Sequence, residues 1–279
     1  MKNMVQNIDK FIGVLPIFLF ILVESTFGEE NICYSRDLNN TPKEIVISTW
    51  NIGHFSNGKK PKSLIDSGQY KSKLKSFRTM IYDSISADII GINEFSPVFG
   101  KNRKGKEALT SDVLFDKFAV KEEGVESWVC NSIFSNIKLR NIKRVYFECS
   151  KPFISKDPRV ALFNYVSVDA LWGCNSVKIV LVHLVSRSPN LCQLQIEELL
   201  SKYRNYDKVI MLGDWNTWDW SKIKKEGYTL ANDGSFITFP SKKYALDNII
   251  VKGLKIIDVR VIETDLSDHY PLVCKIIIE

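Results

Sequence analysis

The sequence predicts one α/β sandwich domain, two packed sheets with helices outside, and three observations lead there. Short apolar runs recur along the chain, each bounded by a polar residue. Segments of helical periodicity stand between several of them, the rhythm of an α/β chain. In the last third the order of apolar run and polar residue reverses, so antiparallel placement of the two groups brings their polar residues to one rim.

The chain has 279 residues, 45% hydrophobic and 25% charged, a composition that excludes a disordered chain and fits one large domain or two small ones. No repeat, low-complexity tract or Gly- and Pro-rich linker divides it. The net charge of +6 survives removal of the first 28 residues, because Lys2 and Lys10 cancel Asp9 and Glu24. Such a field favours anionic substrates, nucleic acid or membrane surfaces without choosing among them.

Residues 1–28 have the order of a secretory signal. Lys2 and Lys10 precede the apolar run Phe11 to Val23, and small Ser25, Thr26 and Gly28 follow. The run falls short of the roughly 20 residues that span a bilayer, and an uncleaved anchor is the alternative. Residues 29–43 form a polar segment, and residues 44–279 the domain. Export permits disulfides among Cys33, Cys130, Cys149, Cys174, Cys192 and Cys274, with no spacing that selects a pairing. No CxxC pair suggests zinc.

Within the domain, β-branched Glu44 to Trp50 reads as a strand that delivers Asn51. Leu74, Phe77, Ile81 and Ile85 recur at helical spacing from Tyr70 to Ser86, with Lys71, Lys73, Lys75 and Arg78 on the solvated face. Asp88 to Asn93 is a short strand ending in Glu94. The basic loop Lys101 to Lys106 fits a phosphate contact or a solvated loop. Weaker strand signals lie around Val125 to Ile133, Val145 to Phe147 and Val160 to Val168. Val177 to Val182 is clearer and ends at His183, and Leu191 to Arg204 is again helical.

Val209 to Leu212 follows, an unbroken apolar run that reads as a strand covered on both faces and stops in Gly213-Asp214-Trp215-Asn216. Asp and Asn one residue apart suit a turn, and equally a cleft that holds a water beside an anionic oxygen. In the last third Asp247 precedes the run Asn248 to Val251, and Asp268 and His269 precede the run Leu272 to Ile278.

Two histidines and four carboxylates on one rim define a chemistry. Glu94 and Asp268 are hard oxygen ligands suited to Mg²⁺ or Mn²⁺. Asp247 fixes the tautomer of His269 and favours the imidazolium, which donates to a phosphoryl oxygen; His183 donates to another. Asp214, oriented by Asn216 or Asn51, accepts the proton of an attacking water. Taken singly, His183 reads as a satisfied or surface histidine and Glu94 as a loop charge; their joint occurrence carries the reading.

These motifs resemble, in order, those of the endonuclease/exonuclease/phosphatase superfamily, whose type member is pancreatic deoxyribonuclease. Thr49-Trp50-Asn51-Ile52, Ile92-Asn93-Glu94, Val182-His183-Leu184, Gly213-Asp214-Trp215-Asn216, Leu246-Asp247-Asn248-Ile249-Ile250 and Ser267-Asp268-His269-Tyr270-Pro271 carry the resemblance from about Ile45 to Ile278. It implies a four-layered α/β sandwich with two mostly antiparallel sheets, a divalent metal held by Glu94, Asp268 and Asn51, and hydrolysis of phosphate esters by in-line water attack. His183, Asp214, Asn216, Asp247 and His269 are then the catalytic set. Asn93 stands where the family often has Gln, and Asn248 where it often has Tyr. Arg159 lies where many members contact phosphate, in a stretch that matches loosely, and also reads as an ordinary surface arginine.

The resemblance leaves the substrate open among nucleic acid, inositol phosphates, sphingomyelin-like lipids and other small phosphate esters, with a nuclease slightly favoured by charge and a membrane surface as partner if the substrate is a lipid. A noncatalytic binding module is the remaining alternative, and the intact set of site residues argues against it. Trp215, Trp218 and Trp220 suit either packing or a substrate wall, and Trp215 is taken as a candidate substrate contact. Nothing in the sequence points to a protein partner.

Overall fold

Alternation along each strand decides which residues meet in this protein, because successive side chains point to opposite faces. The structure, a computed structural model, describes residues 44–55, 70–95, 119–123, 130–154, 164–172 and 175–278. Residues 1–28, read above as a secretory signal, the segment 29–43, residues 101–106 and Arg159 lie outside the described residues. No helix of the described residues is long and apolar enough to cross a membrane.

Two six-stranded sheets form the centre. The first has the order β11 (Lys255–Val261), β12 (Leu272–Ile277), β1 (Glu44–Asn51), β2 (Ile89–Phe95), β4 (Cys130–Ser135) and β3 (Ala119–Glu123). The second runs β5 (Leu139–Tyr146), β6 (Asn164–Trp172), β7 (Asn175–His183), β8 (Val209–Asp214), β10 (Asp247–Lys252) and β9 (Thr229–Leu230). All neighbours pair antiparallel except the central two of each sheet, β1 with β2 and β7 with β8. Parallel neighbours need a crossover, and each crossover here carries a helix, α1 (Tyr70–Thr79) and α3 (Pro189–Tyr203). Two short helices, α2 (Lys151–Ile154) and α4 (Ser221–Lys225), lie in connections.

Three apolar clusters separate four layers. Leu74, Phe77, Ile81 and Ile85 pack on Trp50, Ile90, Ile92 and Phe134 of the first sheet. Ile45, Ile47 and Ile89 meet Ile179, Leu181, Ile210, Leu212 and Ile249 between the sheets. Cys192, Ile196, Leu199 and Tyr203 pack on Val180, Val182, Val209 and Met211 outside the second sheet. The helical segment read from Tyr70 to Ser86 is α-helical only to Thr79 and widens into a π turn over Met80–Ile85, closed by Ser86 N–H donating to Ile81 O, five residues back, at 2.9 Å. Ser188 caps α3, accepting from Leu191 N–H at 3.4 Å, and Pro189 opens its first turn.

The weak signals sharpen into strands with other bounds. β4 begins at Cys130, β5 reaches back to Leu139, and β6 begins at Asn164. β11, absent from the sequence reading, is a sheet-edge strand with charged Lys255, Asp258 and Arg260 and a bulge between Ile256 and Asp258.

Candidate active site

The same parity that builds the inner core aims the polar residues. In β8, Ile210 and Leu212 face the other sheet, so Asp214 does too; in β7, Ile179 and Leu181 place His183 on that face, and in β10 Ile249 and Val251 place Asp247 there. Register finishes the alignment. His183 lies opposite Asp214 across the parallel pair, and Asp214 opposite Asp247 across the antiparallel one. Three functional side chains therefore stand side by side at one end of the second sheet.

The first sheet closes over them. Asn51 and Asn93 are register neighbours, again on the inner face. Asn51 Nδ2 donates to Asp214 Oδ2 at 3.1 Å, while its Oδ1 accepts from Gly53 N–H at 3.1 Å. A carboxylate can only accept and an amide N–H only donate, so the two partners fix which way this amide points. Asn93 Oδ1 accepts the backbone N–H of Asp214 at 2.9 Å, and its Nδ2 donates to Val182 O at 2.9 Å and Asn131 Oδ1 at 2.8 Å. The carboxyl ends of the two parallel pairs thus meet across the sandwich, where open α/β sheets place ligands.

The loop before β12 delivers His269. Ser267 Oγ donates to Asn51 O at 2.7 Å, His269 N–H donates to Ser267 Oγ at 3.2 Å, and Trp50 Nε1 donates to His269 O at 3.0 Å. His269 Nδ1 meets Asp247 Oδ2 at 2.7 Å, and Phe239 packs its ring 4.8 Å from the imidazole. Leu246 and Asp247 N–H both donate to Thr238 Oγ1 at 3.0 Å, holding the start of β10. The Nε2 atoms of His183 and His269 lie 3.6 and 3.8 Å from Asp214 Oδ2, beyond hydrogen-bond reach. Two ring nitrogens and one carboxylate oxygen thus face a common point.

Burial alone would push the His269 imidazole down, but the carboxylates of Asp247, Asp214 and Asp268 together outweigh it and lift the group to about 10. Burial pushes the fully enclosed Asp247 carboxyl up, and the charge of His269 opposes that. A proton held on the imidazole satisfies both groups, giving an imidazolium whose Nε2 lies 3.8 Å from Asp214 Oδ2.

Asn216 has left-handed backbone, φ 48°, which Asn tolerates; its N–H donates to Asp214 Oδ1 at 3.1 Å, while its side chain donates to Leu184 O at 3.0 Å. It orients the carboxylate through its backbone, not its amide. Glu94 is half-buried at the end of β2, with φ 53°, where a bulge between Ile92 and Phe95 interrupts pairing with β4. Bulges re-aim side chains, and Glu94 sits one residue beyond the register partner of Asn51. Asp268 is half-buried beside Ser267, on the other flank of Asn51.

Among the described residues, Asp214, Asp247 and His269 form the one group of three acidic, histidine or cysteine side chains whose ligand atoms lie within 4.8 Å of one another. The contact between Asp247 and His269 Nδ1 is a hydrogen bond, which leaves those two atoms engaged with each other. Glu94, Asp268 and Asn51 each offer an oxygen of the hard kind that Mg²⁺ or Mn²⁺ takes.

One reading changes. Trp215, taken as a substrate contact, is 1% exposed, packs against Trp220 at 6.0 Å and donates to Asn248 O at 3.3 Å, so it is core. Trp218 is the member of that trio left in solvent, 70% exposed. Asn93 and Thr238 were not read as site residues, although Asn93 stands next to Glu94 inside a recognised motif. Asn248 ties β10 to the preceding turn, its Oδ1 accepting from Asn232 N–H at 2.9 Å.

No protein-family model and no curated protein matches the sequence. Solved structures do. A humanised TDP2 of D. rerio superposes with a TM-score of 0.62 at 15% identity over 84% of this chain and 99% of that one. D. rerio TDP2 complexed with single strand DNA product gives 0.58 at 13% identity, covering 84% and 98%. The human Nocturnin catalytic domain with bound sulfate gives 0.58 at 16%, covering 84% and 93%. An endonuclease/exonuclease/phosphatase from Beutenbergia cavernae gives 0.56 at 16%, covering 85% and 72%. With two stacked sheets, a helical layer on each outer face and this likeness over most of its length, the chain has the fold of the endonuclease/exonuclease/phosphatase superfamily.

Proposed function

We propose that the chain is a divalent-metal-dependent phosphoric ester hydrolase that cleaves phosphodiester bonds by in-line attack of water, with nucleic acid as the favoured substrate. The observation that carries this reading is the meeting of Asn51, His183, Asp214, Asp247 and His269 at one end of the inter-sheet face, with His269 Nδ1 at 2.7 Å from Asp247. The net charge of +6 and the likeness to a TDP2 structure that holds a single-strand DNA product support the choice of substrate.

In this reading Asp214 accepts the proton of the attacking water, held in place by Asn51 Nδ2 and by the N–H of Asn216. His269, kept as an imidazolium by Asp247, donates from Nε2 to a nonbridging phosphoryl oxygen, and His183 donates to a second. Glu94, Asp268 and Asn51 Oδ1 would hold the metal. When bound, the cation supplies positive charge to the phosphoryl oxygens as negative charge builds on them. Asn93 keeps Asp214 at its height in β8.

The test is hydrolysis of bis-p-nitrophenyl phosphate and of single-stranded DNA by the purified chain with Mg²⁺, Mn²⁺ or EDTA. The reading expects turnover with the cations, none with EDTA, and a loss of about 10²–10⁴-fold in Asp214→Asn and His269→Ala. Turnover of sphingomyelin or inositol phosphates alone would move the substrate to a phospholipase or phosphatase. No turnover of any ester would leave a binding module. We further propose that residues 1–28 direct export, supported by the order of Lys2, Lys10, the Phe11 to Val23 run and Gly28. N-terminal sequencing of protein recovered outside the cell tests this, with a mature start near Glu29 expected and an intact Met1 contradicting it.

A further inference from the structure

The two loops that leave the catalytic carboxylates carry exposed aromatic rings that touch each other. Trp218 follows Asp214 by four residues and is 70% exposed; Tyr244 precedes Asp247 by three and is 44% exposed. Their ring centroids lie 5.6 Å apart at an interplanar angle of 39°. Because Asp214 and Asp247 are register partners, both rings are rooted within about 14 Å of chain from the reacting centre.

Neither ring sits on a slack loop. Asn216 N–H donates to Asp214 Oδ1, Asp219 N–H to Thr217 Oγ1 and Ser221 N–H to Asp219 Oδ1, each at 3.1 Å, so successive side-chain turns fix residues 214–221. Trp215 and Trp220 anchor that segment in the core. The other turn is closed by Phe239 N–H donating to Tyr244 O at 2.9 Å and Tyr244 N–H donating to Phe239 O at 3.1 Å. Its Phe239 is the ring that packs on His269, and its Lys242 and Lys243 are exposed with no ion pair among the described residues. A held aromatic pair in water, beside two free cations and next to phosphate chemistry, is an arrangement with a use. Single-stranded nucleic-acid sites combine these parts: rings on which bases stack and cations that track the backbone.

We propose that Trp218 and Tyr244 form a stacking subsite for an unpaired nucleobase flanking the scissile phosphate, with Lys242 and Lys243 meeting the adjoining backbone. This rests on the phosphodiesterase reading of the site and narrows its substrate to single-stranded nucleic acid. Base stacking tolerates sequence, since every base offers a π face, so the subsite selects an unstacked strand over a duplex rather than one base over another.

The test compares binding of fluorescein-labelled oligothymidylate and of an abasic strand of equal length, by anisotropy, to the chain carrying Asp214→Asn with Mg²⁺, which suppresses turnover. The inference expects tighter binding of the base-bearing strand. It expects that preference to fall about 10-fold in Trp218→Ala and in Tyr244→Ala, and to be retained in Trp218→Phe and Tyr244→Phe. Both rings are exposed, so a thermal melt by circular dichroism should be unaltered in these variants. Equal binding of the two strands, or a preference untouched by both alanine variants, overturns the subsite. So does loss of phosphatidylcholine–phosphatidylserine vesicle binding in Trp218→Ala without any base preference, which would make the pair a membrane contact. A failed phosphodiesterase reading shows instead as absent hydrolysis by the unsubstituted chain.

Discussion

Asn93 ties its strand to three others with one side chain, accepting a hydrogen bond from the Asp214 backbone N–H and donating to Val182 O and Asn131 Oδ1. Replacement by alanine leaves a buried N–H and two buried acceptors without their partner, and each such loss costs about 1–3 kcal/mol. Asn93→Ala should therefore lose about 3 kcal/mol in urea unfolding and weaken hydrolysis by letting Asp214 drift; a loss under about 0.5 kcal/mol would mean that water or relaxation repairs the site. At this scale the sequence was informative where chemistry and position coincide. Asp214, Asp247 and His183 stand where apolar runs meet polar residues, and parity carries them to one face, while the loop before β12 brings His269 to them. It was silent where a residue acts by hydrogen bonding alone. Asn93 reads in the sequence only as a departure from the family's usual Gln, and no periodicity separates buried Trp215 from exposed Trp218 three residues on.

Two glycines show how the elements constrain the site. Gly213 has φ 139°, and a Cβ there would lie 1.9 Å from Val182 O, in the strand that carries His183. Backbone cannot yield as a side-chain tip can, so Gly213→Ala should cost more than about 3 kcal/mol and shift Asp214 against His183. Gly91 is the contrasting case. A Cβ there would meet Leu212 Cδ1 at 2.7 Å and Leu181 Cδ1 at 2.8 Å, the flexible ends of side chains in the facing sheet. Gly91→Ala should then cost about 1–2 kcal/mol, an overpacking penalty, in the same urea titration. Equal costs for the two would show that the closeness at Gly213 is relieved by backbone movement. Long, strongly patterned elements were legible: β1, β2, β7, β8, α1 and α3 all lie where their apolar periods put them. β11 escaped because an exposed edge strand with a bulge breaks the period of two, and the π turn escaped because the apolar spacing of α1 looks the same through it.

Across the whole molecule, the sandwich buries groups that report on its integrity. Cys149, Cys192 and Cys274 are free, and burial pushes each thiol from 9.0 up to about 12. A raised folded pKa makes the folded state bind the proton more tightly, so this stabilisation is complete below about pH 9, where the unfolded thiols begin to ionise, and is lost as pH rises toward 12. Cys192 and Cys274, both buried, should stay unlabelled by iodoacetamide at pH 9 in the native chain and react fully in urea; rapid native labelling would mean that the helix and sheet layers around them open readily. Fold class was readable at this scale because the reversal of polar residues along the chain is a topological fact, visible before any contact is known. The substrate was not, because it depends on loops whose side chains follow no period.

The account turns on the Asp247 and His269 pair acting as one device beside Asp214, and a double-mutant cycle on kcat with Mg²⁺ tests that most directly. Asp247→Asn and His269→Ala should each lower kcat for bis-p-nitrophenyl phosphate by about 10²-fold or more, and the double variant should lose no more than the worse single one. Losses that multiply, or single variants that keep wild-type turnover, would mean that the 2.7 Å contact is structural and the chemistry lies elsewhere.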